Sequence, residues 1–536
     1  MVQALHIFKK DVRHLRFEIA IAISAVAAFT FVEAKHALWL VDPANNRIAA
    51  SALLLLLLPL TWWTLIGRVI HDEALPGDRQ FWITRPYSWR GLLAAKLLFI
   101  LAFINLPMLL ADAVIVHAYG LPLGAALPGL LWSQVLLTIV FLLPIFALSA
   151  LTKGFVQLIV AVLAPCLLAL LFAIISPGVA LGGFPVRNMG VLGPAYSAGY
   201  EWIKSYILFL IIGAGGSAIA LWQYTRRGTF VARCLAAATA LLAIVGFAYV
   251  PWTTAFRIQS WLTKQHMDIS AVHANVVLDD KSLARVMHDG DGYFHVDLPI
   301  RITGLPPDVT VQAEGLSGEF DSPDGSIRRI YQLPSPYFGN MGQHFSLWTT
   351  LDGAFYNKVK DEPLTLRGTL YLTVYGHRQS TRVPFGDSSV SVPRVGVCSA
   401  SQTTATTRRN YFLICSSAFR NPSAAVSYRF LESATGLGEQ EFPFTQRRKV
   451  SYSPFPADIG ISPVEQDSVV LTSGSVPWEQ AAVDTMEPLD HIMLKFQASS
   501  VRLADFEVHP GSVSLQLQQV QKFQQLLDLQ KLQTQK

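Results

Sequence analysis

The chain has 536 residues, of which 51% are hydrophobic and 15% charged, with a net charge of +5. That length accommodates several domains, and the composition is too apolar for a soluble chain, because almost every long apolar run precedes Trp252. The positive balance does not point to nucleic acid, since the basic residues are dispersed and form no stripe with interleaved aromatics.

Lys9, Lys10, Arg13 and Arg16 precede an apolar stretch that continues to Phe31 without a small-residue cleavage site. This predicts a retained first helix, not a cleaved signal. A helix needs about 20 apolar residues to cross the hydrocarbon core, where unpaired backbone groups cannot be left. Residues 17–40, 49–70, 91–117, 128–151, 154–176, 203–224 and 232–251 meet that requirement, and the run Leu53 to Leu58 is the clearest.

If the N-terminus is inside, the inner ends and loops hold Lys9, Lys10, Arg13, Arg16, Arg68, Arg79, Arg85, Arg90, Lys96, Lys153, Arg226, Arg227 and Arg233. The outer ones hold only Lys35, Arg47, Arg187 and Lys204. Cytoplasmic loops retain the excess of Lys and Arg, so this orientation is expected, and seven crossings place everything after about Trp252 outside. The predicted fold is an α-helical transmembrane bundle of about seven spans, N-terminus cytoplasmic, joined to an all-β extracytoplasmic region of β-sandwich type.

Within the spans, Pro107, Pro144 and Pro165 are expected to kink or interrupt their helices. Asn105, Asp112, His117, Gln134 and Gln157 are polar at or near membrane depth. On one reading Asn105, Gln134 and Gln157 line a substrate pathway. On the other the amides bond across the bundle, while Asp112 and His117 lie wet at the outer end of the third helix. Cys166 and Cys234 fall in apolar spans as packing residues.

Residues 71–90, between the second and third spans, are too polar to cross and rich in aromatics. Pro76-Gly77 signals a turn, Asp78 is placed to cap a short helix starting at Arg79, and Pro86 drives Arg85 out of the helical region and ends it. The product is a short amphipathic helix at the inner surface, offering Phe81 and Trp82 to a groove. The alternative is an interfacial anchor with Trp82, Tyr87 and Trp89 at headgroup depth and the arginines facing phosphates.

The stretch Gly77-Asp78-Arg79-Gln80-Phe81-Trp82-Ile83-Thr84-Arg85-Pro86, followed by Leu92-Leu93-Ala94-Ala95-Lys96, resembles the permease subunits of ATP-binding-cassette transporters of the second, exporter type, in one bacterial branch. The basic amphipathic start, His6 to Phe17, is similar to that family's interfacial elbow helix. The resemblance covers residues 1–251. It implies that Asp78, Arg79, Phe81, Trp82, Arg85 and Pro86 belong to a coupling segment seated on a cytoplasmic ATPase subunit, and that a second permease copy or a homologous permease completes the pore. It also implies a multi-pass protein of the bacterial inner membrane with its C-terminal region periplasmic or extracellular. Members commonly have six spans with both ends cytoplasmic, so a seventh span and a large outer region make a variant architecture. The chain has no Gly-x-x-x-x-Gly-Lys-Ser/Thr loop and no Gly-Lys dipeptide, so no cofactor is expected here, and ATP and Mg belong to the partner ATPase.

After Trp252 the pattern changes to short alternating runs such as Phe294 to Ile302 and Thr365 to Tyr375, bounded by Gly, Pro, Asp and Ser, which predicts strands. The expected divisions are a β domain over 252–398, a second β module or continuation over 399–511, and a Gln-rich tail over 512–536, amphipathic or frayed. Cys398 and Cys415 flank the polar stretch Thr403 to Asn410, a candidate hairpin loop. On the oxidising side of a membrane they are expected to form a disulfide, with two buried thiols as the alternative.

His288-Asp289-Gly290-Asp291-Gly292 lacks the remaining ligands of a calcium loop and reads as a hairpin turn. His-Glu-x-x-His, Gly-x-Ser-x-Gly and Cys-x-x-Cys are all missing from the sequence, so no catalytic or metal site is expected. The leading expectation is a permease without enzymatic activity of its own, binding an ATPase and membrane lipid but no nucleic acid. The alternatives are a membrane-anchored extracytoplasmic binding, sensor or assembly protein, and a polytopic glycosyltransferase. The last is weakened because residues 33–47 offer Asp42 without an acidic pair.

Overall fold

The computed structural model describes residues 2–38, 46–72, 88–163, 201–249, 252–263, 267–268, 270–278, 285–288, 292–325, 327–332, 344–386, 388–405, 408–418, 425–432, 439–442, 463–473 and 478–507. The chain begins with α1 (Val2–His14), an amphipathic helix that buries Ile7 and Asp11. After a break at Leu15 come α2 (Arg16–Leu38) and α3 (Asn46–His71). Next is α4 (Trp89–Ile100), whose first turn is capped by Ser88 Oγ accepting from the Gly91 N–H at 3.1 Å.

Two helices then share one irregularity. A π-turn at Leu101–Asn105 joins α4 to α5 (Leu106–Ala118), and a second at Thr138–Leu142 joins α6 (Leu123–Leu137) to α7 (Leu143–Leu151). The cause lies two residues beyond each turn. Pro107 and Pro144 lack an N–H and would clash with the carbonyl four residues back, and widening the helix to an i−5 bond relieves both problems. The Leu106 N–H accordingly reaches the Leu101 carbonyl, and the Leu143 N–H reaches that of Thr138. The prolines expected to interrupt these helices are accommodated without breaking them. Pro165 lies outside the described residues.

Residues 155–163 are helical, followed in the described chain by α8 (Glu201–Arg226), α9 (Thr229–Tyr249) and α10 (Trp252–Leu262). Among the described residues five helical stretches are long and apolar enough to cross a membrane: Arg16–Lys35, Trp89–Ala118, Leu123–Leu151, Ser205–Arg226 and Thr229–Gly246. They coincide with five of the expected spans, and α3 adds a shorter apolar stretch, Leu56–His71. The molecule is thus a membrane-associated helical bundle followed by a strand-rich region.

α8 packs along α6 and α7 with both running the same way. Trp132 stacks on Tyr206 and donates to its hydroxyl at 3.0 Å, Gly213 and Gly216 lie against Ile139 and Leu143, and Phe146 stacks on Tyr224. On another side of α8, a Cβ at Gly215 would lie 2.2 Å from Thr239 Oγ1 of α9, so glycine is what lets these two helices touch.

By internal contacts the chain divides into two compact units. One is Met1–Gln259 with Gln379–Phe442 and Arg447–Thr485, and the other is Ser260–Arg378 with Pro443–Gln446 and Met486–Lys536. The expected boundary at 398/399 falls inside strand β9 (Gly396–Ala405).

In the first unit β8 (Ser389–Val392), β9, β10 (Arg408–Ala418) and β13 (Val464–Ser473) form an antiparallel sheet ordered β13-β10-β9-β8. The polar stretch 403–410 is mostly strand, because Ala405 already pairs with Arg408. Cys398 and Cys415 are direct cross-strand partners, both buried, and are joined by a disulfide with Cα atoms 4.0 Å apart.

In the second unit β1 (His273–Val276), β2 (Arg285–His288), β3 (Tyr293–Thr303) and β6 (His344–Asp352) form another sheet, with β2 and β3 antiparallel on either side of the expected turn. A six-stranded sheet, ordered β12-β11-β14-β7-β4-β5, is not confined to this unit, since β11 and β12 belong to the first. Its members are β4 (Thr310–Asp321), β5 (Ile327–Gln332), β7 (Leu364–Pro384), β11 (Ala425–Glu432), β12 (Glu439–Phe442) and β14 (Trp478–Val501).

The second unit's core joins Val296, Leu298 and Ile300 of β3 to Leu366 and Leu370 of β7 and to Ile492, Leu494 and Phe496 of β14. The last three alternate with exposed neighbours, as the period of a half-buried strand requires. Gly368 is needed there, since a Cβ would sit 2.5 Å from the Phe496 ring. A short helix, α11 (Gly353–Val359), is capped by Asp352. The sequence placed strands directly after Trp252 and gave no sign of α10 or α11.

Candidate functional site: a polar seam between two membrane-length helices

The two π-turns lie side by side, because α4–α5 and α6–α7 form an antiparallel hairpin around residues 119–122. The last residue of one turn bonds to the first of the other: Asn105 Nδ2 donates to Thr138 Oγ1 at 2.9 Å. Longer contacts, both 3.4 Å, reach the Gln134 carbonyl and side-chain oxygen, and Thr138 Oγ1 donates back to the Gln134 carbonyl at 2.8 Å. Gln134 Nε2 in turn donates to Asp112 Oδ2 at 3.1 Å.

The seam therefore runs Thr138, Asn105, Gln134, Asp112 along the inside of the hairpin. Asn105, Asp112 and Gln134 are all buried, and Asp112 Oδ1 has no protein partner within the described residues. In hydrocarbon a polar side chain is stable only when matched, and a π-turn supplies such a match by rotating one residue out of helical register.

The structure brings together Asn105 and Gln134, two of the polar residues considered for a pathway, and places the third away from them. Gln157 Oε1 accepts from the Lys153 N–H at 2.9 Å, reaching back to cap residues 155–163. The expectation that Asp112 is wet at a helix end is corrected, since it is 2% exposed and inside the seam. Thr138 was missed by sequence reading, as an ordinary helical threonine bonding its own backbone would be. Its only mark in the sequence was Pro144, six residues further on.

At the 119–122 end of the same hairpin, Val116, Leu121, Ala126 and Leu130 form a cluster against which Val397, Ala418 and Val464 of β9, β10 and β13 pack. The hairpin that holds the seam thus touches the disulfide-bonded sheet of its own unit.

At the opposite end of the bundle a second set of contacts gathers around the ends of residues 73–87. Those residues lie outside the described ones, and with them Asp78, Arg79, Phe81, Trp82, Arg85 and Pro86. Before the gap, His71 Nε2 lies 3.1 Å from the Ser149 carbonyl and 3.0 Å from Thr152 Oγ1, at the end of α7. Asp72 pairs with His14 at 3.2 Å.

After the gap, Ser88 Oγ donates to Gln3 Oε1 of α1 at 2.9 Å. Two turns into α4, Lys96 Nζ lies 2.8 Å from Asp11 Oδ2, both side chains at most 2% exposed. Such a pair offsets the cost of taking two charges out of water only with close geometry of this kind. It ties α1 to the third apolar stretch.

Among the described residues no group of three His, Cys, Asp or Glu side chains converges to hold a metal ion. Compared with protein-family profiles and with curated proteins, the chain matches none.

Proposed function

We propose that the chain is the membrane-spanning permease subunit of an ATP-binding-cassette transporter, energised by a separate cytoplasmic ATPase and working with a second permease copy or a homologous one. The observation that carries this reading is the attachment of both ends of residues 73–87. Force applied to that segment reaches α1 through Ser88–Gln3 and Lys96–Asp11, and α7 through His71, Ser149 and Thr152. A loop serving only as a spacer needs no such anchors. In this reading the Asp78 to Arg85 segment seats on the ATPase, and ATP with Mg belongs to that partner.

The seam along the α4–α7 hairpin is the part of the bundle on which the motion acts, because its π-turns are points where a helix changes register at low cost. Seven spans belong to this reading, and it is supported by direction: the parallel pairing of Trp132 with Tyr206 and of Phe146 with Tyr224 sets the end of α7 and the start of α8 at opposite ends of the bundle. α9 then returns to the 119–122 end.

With Lys and Arg gathered at the other end, that end faces the cytoplasm of a bacterial inner membrane, and the strand-rich region lies outside. The Cys398–Cys415 disulfide suits an oxidising exterior. The second unit's single core, drawn from two sheets, supports a β-sandwich there.

The test is purification of the tagged chain from its native membrane. The expected result is an accompanying ATPase whose turnover depends on the complex, and Arg85→Glu is expected to leave the complex assembled but uncoupled. An intact Arg85→Glu complex with unchanged coupling, or a native complex without an ATPase, contradicts the reading.

A further inference from the structure

α10 follows α9 after two residues, and its exposed face is apolar. Ile258, Trp261 and Leu262 are 37, 79 and 50% exposed, at the i, i+3, i+4 spacing that places side chains on one face of a helix. Thr254 and Arg257 are exposed on the same arc. Phe256 and Gln259 occupy the buried arc. The rotation of the helix is fixed at its C-terminal end, where Ser260 Oγ donates to the His491 carbonyl at 2.8 Å and Thr263 Oγ1 lies 2.9 Å from His491 Nδ1. The apolar face therefore points outward by construction, and it presents the most exposed aromatic side chain among the described residues.

What covers it is indicated by the element before it. α9 exposes Leu241, Leu242, Ile244 and Val245, a surface suited only to hydrocarbon, and ends at Tyr249. A short helix directly after such a span, with a tryptophan and aliphatics on one face and an arginine beside them, has the composition of a helix lying in the membrane interface. We infer that α10 is an interfacial helix whose Ile258, Trp261 and Leu262 face sinks into the headgroup region of the bilayer at the end of α9, with Arg257 directed to lipid phosphate. This rests on α9 lying in a membrane. It does not depend on the permease reading.

The test uses the full chain in phospholipid nanodiscs with Cys166→Ser and Cys234→Ser, the Cys398–Cys415 disulfide kept. A nitroxide is attached at Ile258→Cys, Trp261→Cys or Leu262→Cys, with Leu241→Cys and Tyr293→Cys as references for lipid and water. The expected result is that oxygen collides with the three α10 labels more often than a soluble nickel chelate does, as at Leu241 and the reverse of Tyr293. Nickel-dominated collisions on α10 with oxygen-dominated ones at Leu241 overturn the inference. Poor access of both reagents to the α10 labels also overturns it, because a protein surface then covers the face. Nickel dominance at Leu241 as well removes the membrane premise itself.

Discussion

The helical bundle and the strand-rich region treat polar side chains in opposite ways. In the bundle several come in matched sets: Lys96 with Asp11, Asn105 with Thr138 and Gln134, His71 with the end of α7. In the strand-rich region most charged contacts are at the surface, as with Arg367 beside Glu319 or Lys358 beside Asp324, where water screens an ion pair and leaves it little effect on stability. Buried charges occur there too: Asp484 is held by Arg429 through Nε at 2.7 Å and Nη2 at 3.0 Å, and Asp490 Oδ2 accepts from the Met267 N–H at 2.7 Å.

The difference follows from the solvent. Lipid offers an unmatched polar group no partner, so a matched polar pair in the bundle reports a specific contact. Water satisfies the surface of a strand without help, so its polar residues report little. This is why the functional reading rests on the bundle, although the region after it is more than half the chain.

The largest expected effect tests that contrast at its strongest point. Lys96→Met leaves Asp11 buried without its cation, and the expected loss is about 3–5 kcal/mol. It should be read as earlier thermal unfolding in detergent and as faster proteolysis of the N-terminal helix. Adding Asp11→Leu to Lys96→Met should recover most of the loss, because an apolar pair is tolerated where a lone charge is not. If Lys96→Met alone unfolds no earlier than the native chain, the pair is effectively wet and the contrast fails.

A second test belongs to the strand-rich region. Burial pushes His491 down from its ordinary 6.5 to about 4, so the folded protein keeps it neutral where the unfolded chain would bind a proton. The contribution is fully present above about pH 6.5 and is lost as pH falls toward 4. At about 1.36 kcal/mol per pH unit, the whole interval amounts to roughly 3 kcal/mol. Hydrogen exchange of β14 in the full chain should therefore accelerate progressively between pH 6.5 and 4, after correction for intrinsic exchange. His491→Gln should remove most of that acceleration, and an unchanged profile would place the titration elsewhere.

The same contrast explains what was legible in the sequence. The helical stretches at 17–40, 91–117 and 203–224 could be read because each is long enough to meet a requirement set by lipid. Strands such as β3 and β7 were legible from alternation, but their sheet membership was not. Pairing between distant segments, such as β14 with β7, leaves no periodic trace in either. The 398/399 division, drawn without knowledge of pairing, falls inside β9. Asn105 and Gln134 were visible as polar residues in apolar surroundings. Their meeting with Thr138 depends on two π-turns whose only sequence mark is a proline, and a proline marks a disturbance without giving its form. Asp112 looked terminal because α5 ends at Ala118, whereas the hairpin around 119–122 keeps it enclosed.

The smallest expected effect is the most discriminating for the seam. Hydrogen bonds between membrane helices contribute about 0.6 kcal/mol on average and up to about 1.7, because the separated helices find other partners. Asn105→Leu and Thr138→Val, singly and together, should give a coupling energy of about 1 kcal/mol in a double-mutant cycle on unfolding in mixed micelles. Zero coupling would mean that the two π-turns are adjacent but not joined. Under the proposed permease reading, if the coupling is present and the single variants stay folded, their effect on ATP turnover of the complex separates two roles. A seam that only packs the hairpin should lose turnover no more than stability loss explains. One on which the transport motion acts should lose far more, since removing the Asn105–Thr138 bond frees two register changes to occur independently.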